Sequence, residues 1–222
     1  MRLKPMKLLF WFLPLLVLVG CTTKGGPFES GSYCQVTNDN VLTYGPAAVK
    51  VTPSFEYLKT SERLELLAED VVDANVKKEY HMFAMEDFDK GVVIVTQTMR
   101  NPQTFWRHDF DMYQNVKAID KGKIEIDKNS YYSGIRYFDR FPQPMLAAFE
   151  KKGINVEKFR CGLEKGVCRA LNRFKMMCVY YVERLSDCHG LSNDSNLISD
   201  QQRKSVREFA DRFNKNITIT HQ

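Results

Sequence analysis

The chain predicts an α+β domain, an antiparallel β meander with a few flanking helices. Three observations carry that expectation. Between residues 79 and 139, β-branched and aromatic runs are separated by turn-forming residues. Near the C-terminus, a capping-box pattern precedes an amphipathic stretch. The composition, 44% apolar and 27% charged, is that of an ordinary globular protein and excludes bulk disorder.

In chain order, Cys34-Gln35-Val36 and Val41-Leu42-Thr43 flank Asn-Asp-Asn, which predicts a short hairpin or loop, and a strand is expected over 47–52, ending at Pro53. After Thr60-Ser61, Leu64, Leu67, Ala68 and Val71 recur at i, i+3, i+4 and i+7, predicting a helix with Glu62 and Glu65 in its first turn. The run from Tyr80, the Asp89-Lys90-Gly91 turn and Val92 to Thr96 form the clearest hairpin signal. The meander continues through strands at 104–113, 116–126 (with a turn at Lys121-Gly122) and 130–138. Ile124 and Ile126 alternate with Lys123, Glu125 and Asp127, the pattern of a sheet with one wet face.

A short helix is expected over 145–152, stopped by Gly153. Residues 163–185 keep a helical apolar spacing, yet Met177 to Val182 has the aromatic and β-branched density of a strand. The expectation is a helix to Arg173 and a strand over 175–184. Ser199 and Gln202 form the capping box of a final helix with Val206, Phe209, Ala210 and Phe213 on its buried face. Ile217 to Thr220 read as a last strand.

The first twenty residues bear on destination rather than fold. Arg2, Lys4 and Lys7 precede an apolar run of 13 residues, Leu8 to Gly20, broken by Pro14. This is the length of a signal-peptide core and short of the roughly 18 residues a membrane-spanning helix needs. The alternative, a buried helix opening a soluble domain, does not account for the charged, then apolar, then small order. The segment ends Leu18-Val19-Gly20-Cys21, which resembles the lipobox of bacterial lipoproteins. That resemblance implies cleavage before Cys21, diacylglycerol and an amide-linked acyl chain such as palmitate on Cys21, and a periplasm-facing lipid anchor. Thr22 in place of aspartate implies the outer rather than the inner membrane. The order of Val92–Thr96, FWRHDF, MCVYYVERL, REFADRF and NITIT also looks like that of some uncharacterised bacterial lipoproteins, a likeness that implies no activity. The organisation expected is thus a signal over 1–20, a Gly/Ser-rich flexible tether over 21–33 and a single domain over 34–222.

This destination changes how charge and cysteines are read. Three of the +5 formal charges leave with the signal, so the remaining 202 residues carry +2, which does not suggest nucleic acid as a partner. Cys21 taken up by lipid leaves Cys34, Cys161, Cys168, Cys178 and Cys188. An oxidising compartment favours disulfides among these over a zinc site, and no C-x2-C knuckle or C-x-x-C-H haem motif is present. Five is odd, so one thiol stays out of any intrachain pairing, and spacing alone leaves the pairing open. No metal or cofactor is expected.

The aromatic and cationic stretches Trp106-Arg107 and Tyr131-Tyr132 with Arg136-Tyr137 are candidates for a binding surface, because such side chains stack on glycans and anchor protein interfaces. The commoner role of aromatic strand residues is core packing. On a strand, His108 points away from Asp109 and Asp111, which weakens a His–Asp pair, and Glu86, Asp87 and Asp89 read as a solvated turn. G-x-S-x-G, H-E-x-x-H, P-loop and G-x-G-x-x-G motifs are absent from the sequence. The expected function is a non-enzymatic interaction or assembly component of the cell envelope, with an envelope protein as partner. The alternatives are a binding module for cell-wall glycan, peptide or small ligand, and, third, an envelope hydrolase.

Overall fold

A computed structural model describes residues 36–37, 39–58, 64–67, 75–85, 90–100, 116–138, 146, 149–150, 153, 161–188 and 190–221. Its elements are β1 (Val41–Tyr44), β2 (Ala47–Val51), β3 (Phe55–Tyr57), β4 (Leu64–Leu67), β5 (Asn75–Met85), β6 (Val92–Arg100), β7 (Asp120–Ile126), β8 (Asn129–Phe138), β9 (Gly162–Ala170), β10 (Lys175–Arg184), α1 (Asp200–Asn216) and β11 (Ile217–His221). The architecture is mainly antiparallel sheet with one long helix, so β structure outweighs the helical share expected.

Two sheets form. The smaller has the order β1-β2-β11, joining the start of the domain to the end of the chain. The larger runs β3-β5-β6-β10-β9-β8-β7, with β4 also paired to β5. All pairings are antiparallel. β6 and β10, far apart in sequence, lie side by side, with Val95 opposite Val179.

Burial follows from this order. Met176 to Val182 of β10 are all buried, because β10 sits mid-sheet with both faces covered. On one face, Phe83, Val93, Val95, Val167, Met177, Val179 and Tyr181 share a core with Leu42, Val49 and Val51 of the small sheet and with Val206, Phe209 and Phe213 of α1. On the other, Tyr80, Met82, Ile94, Cys178, Tyr180 and Val182 pack with Phe138 and Phe149. Fully burying each large apolar side chain stabilises the fold by about 1.5–3 kcal/mol.

Several expectations hold. The strands over 47–51, 92–96, 130–138, 175–184 and 217–220 form, and so does the hairpin between β5 and β6. The capping box of α1 closes from both sides: Ser199 N–H donates to Gln202 Oε1 at 2.7 Å, and Gln202 N–H to Ser199 Oγ at 3.3 Å. Asp200 and Lys215 lie at the helix ends that favour their charges. The expected strand at 104–113 lies outside the described residues. So does most of the short helix over 145–152, of which Leu146, Phe149 and Glu150 are helical.

Four expectations are corrected. Leu64–Leu67 is a strand paired with Asn75–Lys78, not part of a helix over 62–74. A helix of about a dozen residues is marginal alone in water, and β5 offers these leucines a backbone ladder instead. Residues 162–170 are likewise strand rather than helix. Leu163, Val167 and Leu171 are four apart, a spacing that keeps one face in either geometry; β8 and β10 on the two sides of β9 decide for the strand.

β1 pairs with β2 through Gly45-Pro46, and Gly45 adopts φ +55° at the turn, whereas Cys34 and Gln35 of the hairpin or loop expected before β1 lie outside the described residues. Finally, β7 runs straight through Lys121-Gly122 and turns at Asp127-Lys128, with φ of 48° and 61°. Two positive φ values in a two-residue loop suit the twist of a hairpin. Asp tolerates that region, and Asn129 Nδ2 donates to the Asp127 carbonyl at 2.7 Å, but the lysine gave no sequence signal. Asp120 to Glu125 are exposed on both faces, so the alternation of Ile124 and Ile126 does not mark a half-buried strand.

Close packing makes two substitutions diagnostic. A methyl group at Gly162 would meet the Glu183 carbonyl oxygen and lie 2.7 Å from Phe138 Cε1. Gly162→Ala is expected to destabilise by about 1–3 kcal/mol. Phe209→Ala, which empties a fully buried site under the Tyr181 ring, is expected to cost about 3–5 kcal/mol. Urea denaturation midpoints read both.

Candidate functional site

Strand β8 carries Tyr131, Tyr132, Arg136 and Tyr137, and its alternation divides them. Tyr131 and Tyr137 point into the core shared with the small sheet, whereas Tyr132 and Arg136 lie on the opposite face. They do not form one surface. Arg136 Nε donates to Glu164 Oε1 at 2.8 Å across the β8–β9 ladder, and the Lys123 ammonium sits 5.1 Å from the Tyr132 ring centre. Tyr137 lies where β7 no longer covers β8. There the Asn193 side chain stands in for a neighbouring strand, accepting from Tyr137 N–H at 2.6 Å and donating to its carbonyl at 2.9 Å. Trp106, Arg107, His108, Asp109, Asp111, Glu86, Asp87, Asp89, Cys21 and Cys34 lie outside the described residues.

Tyr131 organises a polar cluster at the seam between the two sheets. Its side chain is fully buried and its hydroxyl is bonded to His221 Nε2, the ring centres being 5.7 Å apart. The Arg169 guanidinium, from β9, lies 5.6 Å from the Tyr131 ring centre. The His221 backbone N–H donates to Asp127 Oδ2 at 3.1 Å, joining the end of β11 to the β7–β8 turn. Burial pushes the Tyr131 phenol up to about 12, against the opposing charge of Arg169 and with a smaller push from Asp127. Burial and then Arg169 hold the His221 imidazole below its ordinary value. A protonated phenol is therefore hydrogen-bonded to a neutral imidazole, whose tautomer sets which of the two donates. A hydroxyl beside a histidine is the arrangement of an activated nucleophile, but this phenol is kept protonated and sealed from solvent, so the cluster acts as a structural clamp.

A second polar group fastens α1 to the large sheet. Arg212 makes a bidentate pair with Glu183, at 2.7 and 2.8 Å, and Glu183 accepts from the Tyr181 hydroxyl at 2.6 Å. Tyr181 in turn stacks on Phe209. Burial, then the bond to Glu183, raises the Tyr181 phenol, and the same carboxylate raises Arg212. A third group lies under the small sheet, where Tyr57 and His81 stack and share a 2.9 Å hydrogen bond between the tyrosine hydroxyl and Nδ1.

The four C-terminal cysteines come together in two pairs, both on the β9–β10 hairpin. Cys168 and Cys178 are directly opposed in the ladder, with Cα atoms 4.1 Å apart. Cys161 and Cys188 close the open end of the hairpin across 6.3 Å. The hairpin thus carries a cysteine pair at disulfide distance at each end.

Sequence reasoning singled out Tyr131 but missed Arg169 and His221. A signal for His221 exists: in Ile217-Thr218-Ile219-Thr220-His221, a strand period of two places the histidine in line with the inward isoleucines. Arg169 carries no such mark, because its place beside Tyr131 depends on the β8–β9 register. No family model, curated protein or solved structure matches the chain.

Two measurements follow. Non-reducing peptide mapping is expected to recover 161–188 and 168–178 linkages, and reduction to lower stability by about 2–4 kcal/mol for each lost bond. Tyr80 and Tyr131, both pushed up to about 12 from 10.0, favour the folded state while protonated. Their contribution is full below pH 10.0 and is lost as pH rises toward 12. Phenolate absorbance is expected to show late-titrating tyrosines that become ordinary on denaturation.

Proposed function

We propose that this chain is an exported bacterial envelope lipoprotein, held by lipid on Cys21 at the periplasmic face of a membrane, most consistently the outer one. Its role in this reading is non-enzymatic interaction or assembly. The observation that carries the export reading is the pairing of Cys161 with Cys188 and of Cys168 with Cys178. Such cross-links form and persist in oxidising compartments, which is where the N-terminal segment would send the chain. No helix among the described residues is long and apolar enough to cross a membrane, so attachment in this reading rests on the acyl chains. Several chains give durable anchoring, each buried methylene contributing about 0.8 kcal/mol.

Strand β7 supports the interaction role. It ends the described order of the large sheet, and Asp120 to Glu125 are exposed along its whole length. Lys121 and Lys123 on that strand disfavour indiscriminate edge pairing, as charged edge residues do, while leaving a strand that a cognate chain can meet.

Cys21→Ser is expected to leave the protein unlipidated, uncleaved at the lipobox and absent from the acylated membrane fraction, read by fractionation with labelled palmitate. A variant that stays membrane-bound and fully processed sinks the lipoprotein reading. Affinity capture of the anchored protein is expected to recover an envelope protein at fixed stoichiometry. Saturable co-sedimentation with peptidoglycan and no protein partner would favour a glycan-binding module instead.

A further inference from the structure

We infer that Tyr131, His221, Arg169 and Asp127 form a proton-operated latch, in which protonation of the His221 imidazole loosens the C-terminal strand β11 from the β7–β8 hairpin. The latch is built from groups on every element that meets His221. β8 supplies the Tyr131 hydroxyl, β9 the Arg169 guanidinium, and the β7–β8 turn the Asp127 carboxylate. β2 places the apolar Ala47 opposite in the ladder.

With the ring neutral and its proton on Nδ1, His221 Nε2 accepts the Tyr131 hydroxyl. The added proton turns Nε2 into a donor, so the buried phenol must rotate to accept it and withdraw its own donated bond. The same proton also places a second cation beside Arg169, whose Nη1 is already buried without a hydrogen-bond acceptor among the described residues. Asp127 offsets part of this charge, but its Oδ2 already accepts from the His221 backbone.

The direction follows from linkage. The folded chain holds the His221 imidazole below its ordinary 6.5, through burial first and Arg169 second. The released strand therefore binds the proton more tightly. Latch stability is full above pH 6.5 and falls as pH drops below 6.5 toward the depressed folded value. β11 is a tractable element for such a device: among the described residues it lies on the edge of the small sheet, so it can open without dismantling β10.

Hydrogen exchange of the peptide 217–222, corrected for the intrinsic rate, tests this on the full chain between about pH 7.5 and about pH 5. The expected result is faster exchange in acid, by roughly tenfold for each unit by which the His221 pKa rises on release. The acid effect is expected to vanish in His221→Gln. Exchange that does not change with pH in the native chain overturns the latch, as does an acid effect that persists in full in His221→Gln. Should that variant fail to fold, the native His221 ring still decides by NMR: titration below 6.5 with a concurrent change at Tyr131 supports the latch, and titration at or above 6.5 overturns it.

Discussion

The fold depends on strand β10 having a backbone neighbour on each edge and an apolar layer on each face. β6 and β9 supply the edges, and buried peptide groups lacking such partners would cost about 1–3 kcal/mol each. The two faces then recruit different parts of the chain. Met177, Val179 and Tyr181 draw in the small sheet and α1, while Met176, Cys178, Tyr180 and Val182 draw in Phe138 and Phe149. A strand of alternating polarity could have organised only one of these layers.

Around this centre, polar groups work as fasteners at the seams. Glu183 joins Arg212 of α1 to Tyr181 of β10, Asn193 extends the ladder past the end of β7, and Tyr131 with His221 ties the last strand to the large sheet. Each lies where two elements meet and backbone groups or ring hydroxyls would otherwise face unlike surroundings. The paired cysteines stand at the two ends of β9–β10, where hairpin fraying would first expose the central strand and where a disulfide would do the same job covalently. A β-rich domain with little helix gains most from such fastening, because its pairings join residues far apart in sequence and close long loops.

Interior and exterior are divided unevenly. The middle of the large sheet is sealed, whereas β7 ends the described order of that sheet and is exposed over Asp120 to Glu125. The aromatic residues of β8 belong to the sealed part as much as to the surface, because alternation sends Tyr131 and Tyr137 inward and Tyr132 outward. The interaction role proposed for this chain is therefore assigned to β7 rather than to the aromatic run.

What the sequence determined alone was local. Ser199 with Gln202 set the start of α1, Ile217 to Thr220 set a last strand, and the density of Met177 to Val182 marked a strand. Each signal lies within a few residues and needs no partner. The N-terminal lipobox resemblance is of the same local kind. The tertiary structure decided what depends on neighbours. Leu163 and Val167 fit helix and strand equally until β8 and β10 flank them, and Leu64–Leu67 chose β5 over helical hydrogen bonds of their own. Arg169 and His221 reach Tyr131 only through the register of β8 on β9 and the docking of β11. The physical reason is range: capping and alternation are written in contacts a few residues apart, whereas the clamp joins groups separated by as many as 94 residues.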